Sequence, residues 1–338
     1  MQNTSSVLVA CLISFQLAAP IAVAQEAKRF TDLQAGDFGF AEVSGLVQKG
    51  IFSGYPDGSF RPQQKVTRSE ALKIITASLM SPDESSEKMR SDFSDVRDDA
   101  WFLPYLSWAV KKSVVDPPTK TPAFKPSNSV LRVEFLKMLF RSNNVNINAF
   151  GEVTLPLSSD VTDAKQWYYP YIRYALSSGV SVAPPTGLLT PNRELTRVDA
   201  AVLLYRFFLY RDGGKTQALL DQTRIEIETT LDALEKNDLK RAEYASVRAL
   251  LAARGAHESK PDDTATKVAV KTSEAIRALV RAYSAGIENK IDDVIKLSQD
   301  AWFIADQARK ISPSASTVAA QIQSYSKAFA DSARKQKK

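Results

Sequence analysis

The chain has 338 residues, 44% hydrophobic and 24% charged, a globular balance that excludes wholesale disorder. Its formal charge of +6 is spread evenly, with 24 basic and 21 acidic residues over 1–216 and 20 and 17 over 217–338, which argues against the concentrated basic face of a nucleic-acid binder. Cys11 is the only cysteine, so everything after it lacks disulfides, thiol catalysis and zinc-cysteine sites.

At the N-terminus, Val7 to Ala24 is almost entirely apolar or small, and Ala22-Val23-Ala24 forms an A-x-A cleavage site before Gln25. Residues 1–24 are therefore expected to be a secretory signal peptide. A rival reading takes Leu8-Val9-Ala10-Cys11 as a lipobox, but few residues precede that cysteine. Export without cysteines fits a bacterial envelope. No later segment has 18 consecutive apolar residues, so no transmembrane span is expected after signal cleavage. A mildly basic secreted chain is drawn to anionic wall polymer or lipid surfaces.

One pattern then recurs three times. The copies begin at Phe30-Thr31-Asp32, Phe93-Ser94-Asp95 and Val161-Thr162-Asp163. They close at Val66-Thr67-Arg68-Ser69-Glu70, Val130-Leu131-Arg132-Val133-Glu134 and Leu195-Thr196-Arg197-Val198-Asp199, which sets the three arginines 64 and 65 residues apart. Such a fixed period is the mark of a repeat architecture. In the first copy Phe40, Val43, Leu46 and Val47 fall at helical spacing, and Gly50 ends the run. Gly54-Tyr55-Pro56-Asp57-Gly58-Ser59-Phe60-Arg61-Pro62 predicts a tight turn. Thr67 to Glu70 is a capping box opening a second helix, and Thr196 to Asp199 repeats it. Each copy is thus a helix, a loop and a helix. Asp32, Asp95 and Asp163 are expected to be caps or turn formers, and Phe30 and Phe93 to be core.

The F-x-D start, the G-Y-x-D-G-x-F-x-P loop and the T-R-x-E helix start resemble S-layer homology (SLH) repeats over about residues 28–212. The resemblance implies a compact pseudo-trimer in which one helix per repeat meets in a central bundle and grooves lie between the prongs. It also implies non-covalent attachment to cell-wall polysaccharide, often a pyruvylated polymer joined to peptidoglycan. On that footing Arg68, Arg132 and Arg197 are the expected carboxylate-binding groups. The arginine at a helix's first turn would add to free backbone N–H groups and the positive end of the dipole. Tyr55, Trp101 and Trp167 are expected to pack on sugar rings, although plain core is an equal reading for the tryptophans. Asp57 and the backbone at Gly58 would bond ring hydroxyls. The second and third copies depart from the pattern. Val114-Val115-Asp116-Pro117-Pro118-Thr119-Lys120-Thr121-Pro122 and Ser181-Val182-Ala183-Pro184-Pro185-Thr186-Gly187 replace the glycine-rich loop, and Leu131 stands where a capping Thr belongs. Prolines supply no N–H donor, so the first copy is expected to hold the best-formed loop. Because grooves form between copies, a loop and its partner arginine can belong to different repeats.

Asp212-Gly213-Gly214-Lys215 marks the expected end of the repeats. The predicted divisions are 1–24 signal peptide, 25–86, 87–150 and 151–214 repeats, and 215–338 a helical bundle for a protein partner or self-association. Four or five amphipathic helices are expected there. Asn237-Asp238 breaks or caps the first, Gly255 ends the second, His257 to Asp263 forms a solvated polar loop, Gly286 ends the third, and Ser312-Pro313 opens the last. No nucleophile elbow, phosphate loop or metal cluster is visible, so neither an enzyme nor a cofactor or metal is predicted. The whole reads as mainly α: a pseudo-trimeric module of helix-loop-helix repeats followed by an antiparallel α-helical bundle, secreted to the cell envelope or surface. The alternatives are a structural S-layer or tether protein that self-associates through the bundle, and a repeat scaffold that has lost sugar binding.

Overall fold

The computed structural model describes residues 30–77, 79–81, 90–120 and 122–337, so the expected signal peptide and Cys11 lie outside the described residues. The described residues form eleven α-helices and no sheet. The repeats hold α1 (Phe40–Gln48) and α2 (Arg68–Thr76), α3 (Leu103–Lys111) and α4 (Arg132–Ser142), and α5 (Tyr169–Ser177) and α6 (Arg197–Arg211). Five longer helices follow: α7 (Thr216–Glu235), α8 (Leu239–Ser259), α9 (Thr264–Ile287), α10 (Ile291–Ile311) and α11 (Ser316–Gln336).

An aspartate clamps each repeat. Asp32 accepts from the N–H groups of Phe60 and Arg61 at 2.7 and 2.8 Å, and Asp95 from those of Phe124 and Lys125 at 2.7 Å each. In the third repeat the clamp is Asp160, which accepts from Leu189 and Thr190 at 3.0 and 2.7 Å. The Asp163 start expected from sequence is therefore three residues late. Asp163 is an exposed turn former bonded to the Lys165 N–H. The misreading arose because Ser158 fills the place of Phe30 and Phe93, while Val161 kept an apolar residue two before an Asp. Arg61, Lys125 and Thr190, each held by the clamp and each followed by proline, have φ of 57°, 59° and 45°. Burial opposes ionisation of Asp160, but bonds from the Ser158 hydroxyl and the two N–H groups outweigh it and hold the carboxyl below its ordinary range. Phe30 and Phe93 are buried, as expected for core.

The three repeats close into a ring. The Val66 N–H donates to Leu195 O, the Leu195 N–H to Val130 O and the Val130 N–H to Val66 O, at 2.8–3.0 Å. All three side chains are buried. Around this axis α2 packs on α3, α4 on α5 and α6 on α1. Leu72, Ile75, Phe135, Leu136, Leu139 and Leu204 fill a common core. The second helices thus supply the central bundle. Both capping boxes form, with Glu70 N–H to Thr67 Oγ1 at 3.3 Å and Asp199 N–H to Thr196 Oγ1 at 3.2 Å. Leucine has no acceptor, so in the second repeat only the return bond from the Leu131 N–H to Glu134 is made, at 3.0 Å.

The C-terminal helices run as successive antiparallel neighbours, with α9 touching α7, α8, α10 and α11. Buried alanines such as Ala249, Ala275, Ala301 and Ala305 let them approach closely. Asn237 and Asn289, at φ 58° and 56°, end α7 and α9. Two glycines expected to end helices lie inside them. Gly286 sits within α9. Gly255 sits within α8 because a Cβ there would come 1.6 Å from the Ser177 carbonyl oxygen. That contact presses α8 onto α5. Accordingly α8 runs to Ser259, and His257, expected in a solvated loop, is a half-buried helical residue 3.1 Å from Thr266 Oγ1. Val247, Leu250 and Leu251 of α8 join the repeat core. Beside them Arg248 and Glu226, both buried, form a two-bond ion pair at 2.8 and 2.9 Å, and Arg248 also donates to Leu157 O at 3.1 Å.

Candidate functional site

Each helix-opening arginine leaves its own repeat and enters the next. Arg68 donates to Phe124 O at 2.9 Å and to Glu134 at 2.8 Å, and its guanidinium lies 5.1 Å from the Phe124 ring centre. Arg132 donates to Ser181 Oγ at 2.6 Å. Arg197 closes the cycle, donating to Phe60 O at 2.9 Å and Ser53 O at 3.0 Å. The backbone follows the same rule. The Arg68 and Ser69 N–H groups donate to Asn128 O and Pro126 O, and the pairs Arg132–Val133 and Arg197–Val198 do the equivalent. The helix N-terminal N–H groups expected to face a ligand are therefore already satisfied by the neighbouring loop. The guanidinium is what each helix start offers.

Three junctions result. At the first, Arg68, Asp116, Phe124, Glu134, Lys137 and Trp167 line a groove of about 600 Å³. All three repeats contribute to it. Trp167 is 52% exposed, with the Lys137 ammonium 5.6 Å from its ring centre. Asp116 accepts from Lys137 at 2.8 Å and from Arg141 at 3.0 Å. The Lys137 bond, outweighing burial and aided by Arg141, lowers the Asp116 carboxyl to about 2. Arg68 keeps one Nη without a partner among the described residues.

The second groove, about 500 Å³, is lined by Arg132, Phe38, Arg193 and the proline loop at 182–186. Here Asp199 replaces the glutamate that meets Arg68 at the first junction. The shorter side chain binds Arg193 through both oxygens at 2.9 Å, and the Arg132 Nε is left without a partner. Burial, reinforced by Arg193, pushes the Arg132 pKa down.

At the third junction Arg197 meets the loop of the first repeat. Its guanidinium lies 5.0 Å from the Tyr55 ring centre, and Arg61 covers the same ring at 3.8 Å. Burial lowers the Arg197 pKa. Asp57 is turned inward to its own loop. It accepts from the Ser59 hydroxyl and N–H and from Arg61, which bring its carboxyl to about 2. Gly58, at φ 81°, permits the turn. Tyr55 thus meets Arg197, with Asp57 and Gly58 on the same loop, whereas Arg68 serves the second repeat's loop. Thr67, Glu70, Thr196 and Asp199 cap the helix starts, and Asp199 also lines the second groove.

Trp101 is 58% exposed and stands two residues before its helix, as Trp167 does and as Phe38 does at 62%. This aromatic triplet was only two-thirds visible in sequence. Aligning Phe38-Gly39-Phe40 with Trp101-Phe102-Leu103 would have completed it. Lys137, Asp116 and Arg141 were missed as well. The signal for Lys137 is its place five residues after Arg132, matched by Lys73 after Arg68. Among the described residues no group of His, Cys, Asp and Glu is placed to hold a metal ion. A groove floored by guanidinium and ammonium and walled by an exposed indole suits a sugar carrying a carboxylate.

This geometry agrees with the comparison to known proteins. The S-layer homology domain matches residues 29–72 and 159–201. The surface-layer 125 kDa protein of Lysinibacillus sphaericus is 30% identical over 195 residues, 55% of this chain and 15% of that protein. The S-layer protein EA1 of Bacillus anthracis is 29% identical over 180 residues, 53% of this chain and 20% of that protein. The cellulosome-anchoring protein of Acetivibrio thermocellus is 26% identical over 187 residues, 52% of this chain and 39% of that protein. The chain thus covers well under half the length of these relatives. It carries the S-layer homology domain at those two sites. The middle repeat lies outside both domain matches, and there the Asp95 clamp and the reach of Arg132 carry the same geometry.

Proposed function

We propose that the chain is a non-catalytic anchor of the bacterial cell surface whose repeat module grips an anionic, carboxylate-bearing wall polysaccharide in the grooves between repeats. The observation that carries this reading is the first groove. There Arg68, Lys137 and the exposed Trp167, drawn from three different repeats, converge on one cleft. Relatives named as surface-layer and anchoring proteins support the same reading. The bundle is then what the anchor carries to the wall. Binding shared among several grooves lets avidity offset modest affinity at each.

The test is co-sedimentation of the chain with native cell-wall sacculi, before and after acid extraction of the secondary polymer. Pelleting that disappears on extraction supports the polysaccharide anchor. Equal pelleting after extraction points to bare peptidoglycan, and none in either case favours a scaffold without sugar binding.

A second reading rests on Trp302 and Phe303 of α10, which are 44% and 56% exposed. They would let bundles associate into a lattice. Light scattering distinguishes it: a mass that stays monomeric across the accessible concentration range excludes it.

A further inference from the structure

A second cleft, about 560 Å³, lies away from the repeat grooves, between α8, α9 and α10 and beneath Leu155 and Pro156. Val247, Val280 and Leu297 give it an apolar floor. Its charges are sorted by sign. Arg277 and Arg281, one turn apart on α9, have no acidic partner and no ring contact among the described residues. A third arginine, Arg254, also acts on Arg277 and is itself tied to Glu152. At the other end the Glu243 carboxylate has no hydrogen-bond partner among the described residues and feels both Lys240 and Glu288, the latter paired with Lys290 at 2.5 Å. Asp293 and Lys290 complete that end.

Helical geometry explains the sorting. Long side chains on a helix lean toward its N-terminus. Because α8 and α9 are antiparallel, Arg281 and Glu243 lean apart and do not pair. The sorting is costly. Like charges one turn apart repel, and burial together with its two arginine neighbours pushes the Arg277 pKa down. Burial likewise pushes Glu243 up, against the pull of Lys240 and with Glu288 adding to it. A surface selected for stability alone would pair these groups. A ligand charged oppositely at each end satisfies them.

We propose that this cleft binds a short peptide with both ends free, its carboxylate against Arg277 and Arg281 and its amino group between Glu243 and Glu288. Helical rise sets Glu288 about 10 Å from Arg281 and about 16 Å from Arg277 along the axis. An extended peptide spans about 3.4 Å per residue, so roughly three to five residues fit.

The experiment titrates the full chain with tetra-alanine, its C-terminal amide and its N-acetyl form, following backbone amide shifts by NMR. Tetra-alanine is expected to give saturable shifts at Val247, Val280 and Ser284. Each blocked form, and Arg281→Gln or Glu243→Gln, is expected to bind about tenfold more weakly, the loss of one charge-assisted contact. Arg277→Gln is expected to weaken binding while raising the melting temperature, because it relieves repulsion. No saturable shift at these residues, or equal binding of the amide, overturns the proposal. A lower melting temperature for Arg277→Gln contradicts the claim that the free guanidinium is held at a cost. Wall co-sedimentation does not enter this test, so its failure leaves the groove reading untouched.

Discussion

Arg68 is 20% exposed and Glu134 29%, so their ion pair is partly shielded and removing one partner strands the other. Trp167 separates binding from stability more cleanly, because its ring is half exposed. Trp167→Ala is expected to lower unfolding free energy by only about 1 kcal/mol, the loss of a half-buried ring. Retention on purified walls should fall several-fold, the stacking of a sugar on an indole being lost. Urea unfolding and co-sedimentation of the same preparation check both halves. Asp116 supplies a pH test. Its carboxyl titrates near 2 in the folded chain and at about 3.9 when unfolded. Its contribution to stability is therefore complete above about pH 4 and lost as the pH falls through about 2. Asp116→Asn should flatten the stability profile across that window, as read from melting temperatures between pH 2 and 5. The three arginines were legible because their spacing is local and regular. Their partners were not. Arg68 meets Glu134 66 residues on, and Arg197 meets Ser53 144 residues back, and nothing in a repeat states that its arginine belongs to the next loop.

At the scale of elements, helix starts were easier to read than helix ends. Thr67–Glu70 and Thr196–Asp199 carry their acceptors in their own side chains, and each forms the bond its chemistry suggests. Gly255 carries no such information. Glycine is common past a helix end, and only the Ser177 carbonyl of another element explains it inside α8. Gly255→Ala should drive α8 away from α5. It is expected to cost at least about 2 kcal/mol by overpacking against backbone, which cannot move aside as a side chain does. Denaturant melts of the full chain measure it. Gly50, at φ 70° with open space around it, tolerates a Cβ sterically and costs only local strain.

For the whole molecule, the repeats and the bundle share one structural unit at α8. Glu226 and Arg248 are both buried, so Glu226→Ala leaves an uncompensated cation in the junction. The expected loss is about 3–5 kcal/mol, and the near-UV signal of the repeat tryptophans should melt together with the bundle's helical signal. The mainly helical class and the bundle were legible from periodicity. The cyclic closure around Val66, Val130 and Leu195 was not, because those residues are ordinary apolar positions in sequence and become an axis only when all three repeats meet. The central claim is that the groove built by Arg68, Lys137 and Trp167 holds an anionic wall polymer. It is tested most directly by binding isotherms on native sacculi for the full chain and its Arg68→Ala and Trp167→Ala variants. Both variants should stay folded, with retention several-fold weaker for Trp167→Ala and at least about tenfold weaker for Arg68→Ala. Unchanged isotherms in folded variants would contradict the account.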